Sequence, residues 1–320
     1  MYQYSGLSLS PMAGYSDWPF RSLCSEHGST ISYSEFVNSN LVVQKNEQTF
    51  KMLRYSDFER PVVFQLFGSH QPTLVAAVLF LVVLGVDGID LIFGCSVTKV
   101  VDRGSGAALL NDTKKIGQMI AELVSRIRIP ISAKIRLGWN DSSDALTIAQ
   151  TIQDNGASLI SVHGRTAKQR YTGEADWLLI SEIKAKLSIP VLGNGDIDSY
   201  ATAKLRMNES GVDGVLIGRS AQGNPWIFNE HDEAPEAVEV LQVMKTHLIR
   251  MIEFHGEIQG LLRFRKHALS YLKRLDVNRE ICATIIEKTD LNQFLTQLDS
   301  IADLILDGKI MRPDLNTARQ

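Results

Sequence analysis

Eight short runs of β-prone residues recur along the first 218 residues, and longer segments with helical spacing separate most of them. The runs cover 7–12, 31–36, 61–68, 88–94, 131–138, 159–164, 189–195 and 214–218. Helical patterns such as 113–127, 144–155 and 176–187 lie between the later runs. Strands that alternate with helices form parallel sheets. Eight such units over about 230 residues predict a closed (β/α)8 barrel, whose typical length is ~250 residues.

An open, doubly wound sheet is the alternative arrangement for such a pattern. Its glycine-rich fingerprint should follow the first strand. In this chain AGYSDW follows instead, at 13–18. The predicted fold class is therefore α/β, with a (β/α)8 TIM barrel.

The strand pattern ends near residue 234, and only helical patterns follow. They cover 238–254, 260–275, 279–288 and 290–306. An acidic stretch with one proline, EHDEAPE at 230–236, is typical of a linker. We therefore predict two domains, a barrel over 1–233 and a smaller all-helical domain over 234–320.

The cysteines and the charge exclude several classes of protein. Cys24, Cys95 and Cys282 lie far apart, so we expect no zinc or iron–sulfur site and no metal. An odd number of cysteines and the lack of a recognisable signal peptide favour a reducing, cytoplasmic setting. The net charge of −3 places any nucleic-acid surface in a local patch. A monomer is the default expectation.

One segment, 74–86, is almost entirely apolar. It is too short to span a bilayer, which takes ~20 residues, and Asp87 and Asp90 follow it. We expect a buried helix that leads into the next strand, and no membrane association.

Polar residues gather at the end of nearly every predicted strand, where a barrel of this class forms its site. The candidates at these ends are Pro11, Met12, Ala13, Gly14, Glu35, Gln65, Cys95, Lys134, Arg136, His163, Gly164, Arg165, Asn194, Gly195, Asp196, Gly218 and Arg219. Lys134 and Arg136 alternate with apolar residues and so point into the barrel or its mouth, where a charge needs a partner. The glycine-containing ends of the seventh and eighth strands predict a phosphate site, and a cation at Lys134 suits a reduced flavin.

These motifs, in this order, resemble those of the tRNA-dihydrouridine synthases, FMN-dependent reductases that saturate the C5–C6 bond of uridines in tRNA. The resemblance rests on SPMAGYSDWPFRSLC, VVFQLFGS, GIDLIFGCSVTKVV, GSGAALL, AKIRLGW, VHGRT, YTGEADW, GNGDI and IGRSAQGNPWIF, and on FRKHALSYL at 264–272. It implies FMN as the cofactor, NADPH as the reductant and tRNA as the partner.

The resemblance also implies roles for single residues. FMN contacts fall on Pro11, Met12, Ala13, Gln65, Lys134, His163, Asn194, Gly195, Asp196, Gly218 and Arg219, the last five at the phosphate. RNA contacts fall on Arg136, Arg165, Arg265, Lys266 and His267. Cys95 matches the general acid, which gives a proton to C5 of uracil after hydride from FMN N5 has reached C6. A free thiol has a pKa near ~8.5, so it still carries that proton at neutral pH.

The helical region adds a charge argument of its own. Residues 241–275 hold seven basic and two acidic side chains, although the whole chain is net acidic. Such a local excess predicts contacts to phosphate. A solvated helix face remains the alternative.

The segment around Cys95 departs from the family. The usual Asn-x-Gly-Cys-Pro reads Ile92-Phe93-Gly94-Cys95-Ser96, so a hydrogen-bonding side chain and a stiffening proline are both missing. Uridine reduction in tRNA is the leading interpretation. Two alternatives stay open, a flavin-binding RNA-binding protein with weakened or lost turnover and a flavoprotein that acts on a free pyrimidine.

Overall fold

A computed structural model describes residues 5–307 of the chain. Within that range nine strands form one parallel sheet. They are β1 (Gly6–Leu9), β2 (Ser32–Tyr33), β3 (Val37–Asn38), β4 (Val62–Phe67), β5 (Gly88–Ile92), β6 (Ile131–Arg136), β7 (Leu159–His163), β8 (Val191–Asn194) and β9 (Gly214–Ile217). Their order is β1-β9-β8-β7-β6-β5-β4-β2, with β3 also paired to β4. All eight predicted runs contribute strands, and the (β/α)8 barrel is confirmed.

Hydrogen bonds of the backbone and of hydroxyl side chains join β1 to residues 29–31, just before β2. The Thr30 backbone N–H donates to the Leu7 carbonyl at 2.9 Å. The Leu9 N–H donates to the Ser29 hydroxyl at 2.9 Å, and the Ile31 N–H donates to the Ser8 hydroxyl at 3.2 Å. Hydroxyl groups thus satisfy backbone donors where the regular ladder is interrupted.

Only part of the second predicted strand, 31–36, forms a strand, because β2 covers Ser32–Tyr33 and β3 begins just beyond the run at Val37. The Ser34 hydroxyl accepts from the Gln65 N–H at 3.0 Å and donates to the Glu35 carbonyl at 2.9 Å. Glu35 turns its carboxylate toward the Gly14 N–H. Side chains therefore take over hydrogen bonds of the backbone between β2 and β3, which the alternation of residue types did not reveal.

Thirteen α-helices lie within the described residues. They are α1 (Trp18–Glu26), α2 (Ser39–Val43), α3 (Glu47–Met52), α4 (Gln71–Val82), α5 (Thr98–Val101), α6 (Thr113–Arg126), α7 (Ala145–Asp154), α8 (Trp177–Lys186), α9 (Tyr200–Ser210), α10 (Ala237–His255), α11 (Glu257–Arg274), α12 (Arg279–Ile286) and α13 (Leu291–Leu306). Short 3₁₀ turns cover Asp57–Glu59, Gly106–Asn111, Arg219–Ala221 and Pro225–Phe228. N-terminal caps fix several starts, as where the Asp112 carboxylate accepts from the Lys115 N–H at 3.0 Å.

The apolar helix α4 is buried on one side only. Leu74, Ala77, Val78 and Leu81 have no exposed surface, whereas the side chain of Val83, just after the helix, is 84% exposed. The expectation of a buried helix is therefore wrong for its outer face, because an outer helix of a barrel packs only inward. Among residues 5–307, no helix is long and apolar enough to cross a membrane.

The lower part of the barrel interior is apolar. Ile31, Tyr33, Leu159, Leu192 and Leu216 pack together there. A small cavity opens beside this cluster, at the amino ends of the strands, and is lined by residues such as Pro61 and Pro130. The polar residues at the carboxyl ends lie at the other end of the barrel.

The chain divides into two compact units. The first comprises residues up to Gly218 together with Phe228–Glu230, and the second comprises Arg219–Ile227 and the residues from His231 onward. Helices α10 to α13 belong to the second unit. Buried residues at helical spacing, such as Phe294, Leu298 and Ile301 of α13, form part of its core. Residues 308–320 of the predicted helical domain lie outside the described range.

Candidate functional site

A chain of buried polar side chains crosses three neighbouring strands inside the barrel. Gln65, Asp90 and Ser132 stand opposite one another in the registers of β4, β5 and β6. The Gln65 Nε2 donates to Asp90 Oδ2 at 2.7 Å, and the Ser132 hydroxyl donates to Asp90 Oδ1 at 2.6 Å. The Gln65 Oε1 is buried and has no hydrogen-bond partner among the described residues. An acceptor left in that state costs about 1–3 kcal/mol.

Asp90 is a carboxylate with no exposed surface. Burial raises its pKa to about 6, while hydrogen bonds from Ser132 and Gln65 and the charge of Lys134 act in the opposite direction. At neutral pH the group is therefore mostly ionised inside the barrel.

Lys134 reaches across the barrel interior from β6 to β8. Its Nζ donates to Asn194 Oδ1 at 3.0 Å, and the Asn194 Nδ2 donates to the Leu216 carbonyl at 2.7 Å. Burial and the charge of Arg136 lower the pKa of Lys134 to about 8, against the opposing effect of Asp90 and Cys95. The structure thus brings together the predicted cofactor residues Lys134 and Asn194 as a fixed pair.

Cys95 follows β5 and is 7% exposed. It packs with Ile92 and Val100, and Phe36 and Phe67 lie against the same cluster. Burial raises the pKa of the thiol, although a hydrogen bond from Val97 and the charges of Arg136 and Lys134 lower it. The thiol consequently keeps its proton through the neutral range.

The glycine-rich turn after α5 holds the backbone of Cys95. The Ala107 N–H donates to the Cys95 carbonyl at 2.9 Å. Gly106 has a φ of 59°, and a Cβ there would lie 2.7 Å from the same carbonyl oxygen. The GSGAALL motif therefore supports the cysteine loop, because only glycine permits both the conformation and the close approach.

Arg136 donates hydrogen bonds to backbone carbonyls of the loops beside the site. Its Nε donates to the Gly94 carbonyl at 3.2 Å, and one terminal nitrogen donates to the carbonyls of Thr166 and Arg170 at 2.8 and 2.7 Å. The guanidinium also lies 5.6 Å from the centre of the Tyr171 ring. Arg136 thus joins the loop that carries Cys95 to the loop after β7, and its contact with RNA stays a prediction.

The loop after β1 carries the predicted residues Pro11, Met12 and Ala13. Pro11 is buried, Met12 is partly buried and Ala13 is exposed. The Met12 N–H donates to the Ser16 hydroxyl at 2.8 Å. This bond and the one from the Gly14 N–H to Glu35 fix the loop at the carboxyl end of β1.

The loop after β8 has an unusual backbone. Gly195 has a φ of 131°, and a Cβ there would lie 2.6 Å from that of Ala175. Asp196 has a φ of 51°. Its carboxylate accepts from Arg165 at 2.6 Å and from the Ala175 N–H at 2.8 Å, so Arg165, 2% exposed, serves to hold this loop.

Three further predicted residues lie at or after strand ends. His163 ends β7, stands opposite Arg136 and Asn194 in register, and lies near the Tyr171 ring. Gly218 follows β9, and a Cβ there would meet Met12 Sδ at an ordinary 3.5 Å. Arg219 is exposed and begins the second unit.

The predicted RNA residues of the second unit have different surroundings. Arg265 and Lys266 are partly exposed on α11, and one Arg265 nitrogen donates to the Lys288 carbonyl at 2.8 Å. His267 has no exposed surface and packs against the His247 ring, 4.5 Å away between centroids. Burial, with nearby His247, Lys266 and His255, lowers the pKa of His267 well below 6.5, so its ring is neutral at neutral pH.

Sequence reasoning missed Asp90 and Ser132 as members of the site. Both lie on predicted strands, but an acid inside Gly-Ile-Asp-Leu-Ile gives no sign of which face it occupies. The strand pairing supplies that sign, because it sets Asp90 beside Gln65. Gln65 was already a candidate, so the register of β4 and β5 is the signal that identifies Asp90.

Comparison with known protein families gives a match over almost the whole described chain. The family model described as dihydrouridine synthase (Dus) matches residues 8–305. The tRNA-dihydrouridine synthase B of Pseudomonas syringae pv. tomato is 36% identical over 290 residues, covering 88% of this chain and 86% of that protein. The protein of the same name from Pseudomonas aeruginosa is 37% identical over 287 residues, covering 87% of this chain and 86% of its own.

Solved structures show the same fold at low sequence identity. A histamine dehydrogenase from Rhizobium sp. 4-9 aligns with a TM-score of 0.54 and 12% identity over 82% of this chain. A 2-naphthoyl-CoA reductase aligns with a TM-score of 0.54 and 10% identity over 69%. Each alignment covers 49% of the other, longer chain.

Proposed function

The chain belongs to the dihydrouridine synthase family, and from that premise we propose that it reduces specific uridines of tRNA to 5,6-dihydrouridine with FMN and NADPH. The observation that carries the proposal is Cys95, a thiol that burial keeps protonated, at the strand ends that also hold Lys134 and Gln65. Reduction of a C=C bond beside a carbonyl needs a proton donor and a group that stabilises the developing negative charge, and Cys95 and Lys134 are suited to these two roles.

The residues at the strand ends fit FMN. The bare Oε1 of Gln65 can accept from a ring N–H, and the Lys134 ammonium can lie against an electron-rich ring. Backbone N–H groups in the turn at Gly195 and Asp196, together with Gly218 and Arg219, are suited to the phosphate. FMN held there and reduced by NADPH would supply the hydride for C6 of the uracil. The remaining members of the proposed cofactor set are Pro11, Met12, Ala13, His163 and Asn194.

Cys95 supplies the matching proton at C5. Its Sγ–H bond breaks as the C5–H bond forms, which leaves a thiolate that solvent protonates afterwards. The charges of Arg136 and Lys134 favour that thiolate while it exists. Apolar side chains such as Ile92 and Phe67 surround the thiol, so that water does not compete as the donor.

We assign the flavin and the chemistry to the barrel over 1–233, and tRNA binding to the helical region over 234–320. Arg265 and Lys266 on α11, with the neighbouring basic residues, supply positive charge for phosphate. The chain is proposed to act as a monomer in the cytoplasm, and RNA contacts are proposed for Arg136 and Arg165 beside the loops that they hold.

A single-turnover experiment tests this function. The protein is loaded with FMN, reduced anaerobically with NADPH and mixed with tRNA that lacks dihydrouridine, and flavin absorbance near ~450 nm is followed. We expect reoxidation by the wild-type protein and a loss of about 100-fold or more in that rate with Cys95→Ala. Cys282→Ala, which removes a partly exposed thiol of α12, should match the wild type.

Equal rates for Cys95→Ala and the wild type would remove Cys95 from the proton-transfer step. A wild-type protein that binds tRNA but is never reoxidised by it would favour the second candidate, a flavin-bearing RNA-binding protein with weak or no turnover. The packing of Ile92 beside Cys95 favours this candidate, since an apolar side chain there gives the uracil no hydrogen bond.

A further inference from the structure

In the side-chain amide of Gln65, the nitrogen has a hydrogen-bond partner and the oxygen has none among the described residues. Its Nε2 lies 2.7 Å from Asp90 Oδ2, while its Oε1 is buried without a partner among the described residues. The whole side chain has no exposed surface. An amide in this position is a donor on one side and an acceptor on the other.

Asp90 determines which end of the amide faces which way. An ionised carboxylate offers only acceptors, and Asp90 has both oxygens engaged, one by Gln65 and one by Ser132. The amide must therefore turn its NH2 group to Asp90 and its oxygen away from it. This orientation follows from the chemistry of the pair.

The partners of Asp90 leave it little freedom. Gln65, Asp90 and Ser132 sit on three adjacent strands and are paired in register, so the backbone fixes their spacing. Lys134, two residues after Ser132, is the cation whose charge favours the ionised form of Asp90. At neutral pH, where it is mostly ionised, the carboxylate is therefore held in place as a double acceptor.

We propose that Asp90 is a positioning residue that fixes the polarity of the Gln65 amide, so that Gln65 accepts a hydrogen bond from a ring N–H of the flavin. The inference rests on the proposed function for the identity of the ligand. The ligand atom that faces Gln65 Oε1 must therefore carry a hydrogen to donate, and a ligand with an acceptor at that point binds poorly. Asp90 acts on the ligand only through Gln65.

The test measures the FMN dissociation constant at pH 8 by quenching of flavin fluorescence. Asp90→Asn removes the acceptor-only partner, and its amide can turn either end toward Gln65. The double variant Gln65→Glu with Asp90→Asn exchanges the two groups. In it the NH2 of the new amide donates to the new carboxylate, whose second oxygen remains an acceptor toward the mouth.

We expect Asp90→Asn to weaken FMN binding about tenfold, the effect of one lost hydrogen bond. The double variant should recover to within about threefold of the wild type, because it restores an acceptor at position 65. Asp87→Asn is the matched control. It makes the same substitution just before the same strand, at the other end of the barrel, where Asp87 binds the Val62 N–H and Arg60.

A double variant that binds no better than Asp90→Asn, with all proteins folded by circular dichroism, would overturn the inference, since a merely structural role predicts no recovery from a second substitution. A wild-type protein that fails to bind FMN would instead reject the proposed function on which the inference rests. The two failures are therefore distinct.

A second measurement needs only the wild-type protein. The side-chain NH2 of Gln65, labelled with ¹⁵N, should be protected from hydrogen exchange both before and after FMN is added, because it stays bound to Asp90. An amide that turned its NH2 group toward the flavin would gain its protection only when FMN binds, and that result would also contradict the inference.

Discussion

Among the residues around Cys95, Ile92 is the one least suited to the proposed reaction, because its side chain cannot form a hydrogen bond. It stands opposite Lys134 in register and packs against Cys95, yet it offers no hydrogen bond. Ile92→Asn would put an amide at this position. We expect tRNA to reoxidise the reduced flavin about tenfold faster in this variant, the effect of one regained hydrogen bond. Its melting temperature should fall, because an amide replaces an apolar side chain in a buried cluster.

Ile92→Val is the control for this prediction, since it changes size without adding a polar group. The rate is measured in the anaerobic single-turnover assay. An Ile92→Asn protein that reacts no faster than Ile92→Val would show that Ile92 does not limit turnover.

A second prediction for a single residue concerns Asp90 and the dependence of the unfolding free energy on pH. Its pKa is about 6 in the folded protein and about 3.8 in the unfolded chain. The folded state therefore binds more protons between these values, and Asp90 favours folding increasingly as the pH falls from 6 to 4. Relative to Asp90→Asn, the wild-type protein should gain about 2 kcal/mol of unfolding free energy between pH 7 and pH 4.

Urea melts of both proteins across this range measure that difference. Lys134, the cation that faces Asp90, stays protonated throughout because its pKa is about 8. A difference that does not change with pH would mean that Asp90 titrates as it does in water.

Single residues also show where sequence reasoning reaches its limit. Lys134 could be placed inside the barrel because its two neighbours, Ala133 and Ile135, are apolar in a clear strand pattern. Asp90 shows no comparable signal, because the face that it occupies depends on how β5 pairs with β4. The bound end of the Gln65 amide likewise depends on a partner that is 25 residues away.

At the scale of elements, the loops around the site are joined by one side chain. Arg136 binds the carbonyls of Gly94, Thr166 and Arg170, and so it links the loop after β5 to the loop after β7. Arg136→Lys keeps the charge but loses the planar fork that reaches three carbonyls. We expect the rate of amide hydrogen exchange in 94–96 and 166–170 to rise about tenfold. Each hydrogen bond that the variant loses contributes about 1 kcal/mol to the stability of these loops in the wild-type protein.

The exposed Arg103 offers a matched control, because Arg103→Lys makes the same substitution at the surface. Exchange is measured by mass spectrometry on the protein without tRNA. Unchanged exchange in both loops would leave a direct contact with RNA as the role of Arg136.

Elements also differ in how far the sequence predicts them. Helices such as α6 begin at a capping residue and have a clear apolar side, so their bounds follow from local chemistry. The run at 31–36 was predicted as one strand, but the hydroxyl of Ser34 and the carboxylate of Glu35 interrupt it. The outer face of α4 could not be predicted from the composition of 74–86, because apolar residues lie on all its sides.

At the scale of the whole molecule, the proposed binding of tRNA depends on a local excess of positive charge, seven basic against two acidic side chains at 241–275, in a chain whose net charge is −3. Lys266 is partly exposed on α11, and Lys204 is exposed on α9 in the barrel unit. Lys266→Ala should weaken tRNA binding and lower the slope of log affinity against log salt by about one. Lys204→Ala should leave both unchanged.

Binding is measured by filter retention at several salt concentrations. Equal slopes for the two variants would show that Lys266 contacts no phosphate. The same titration with His267→Gln decides whether that buried ring has any part in RNA binding beyond packing, since a packing role leaves the slope unchanged.

The bare acceptor of Gln65 has a consequence for the life of the protein in a cell. Until a ligand reaches it, the barrel carries an unsatisfied oxygen and a buried charge, and both favour opening of the chain. A ligand that binds only the folded form shifts that balance by mass action. With the proposed FMN as that ligand, a shortage of FMN would lower the abundance of the protein, because chains without ligand open more often and are degraded sooner.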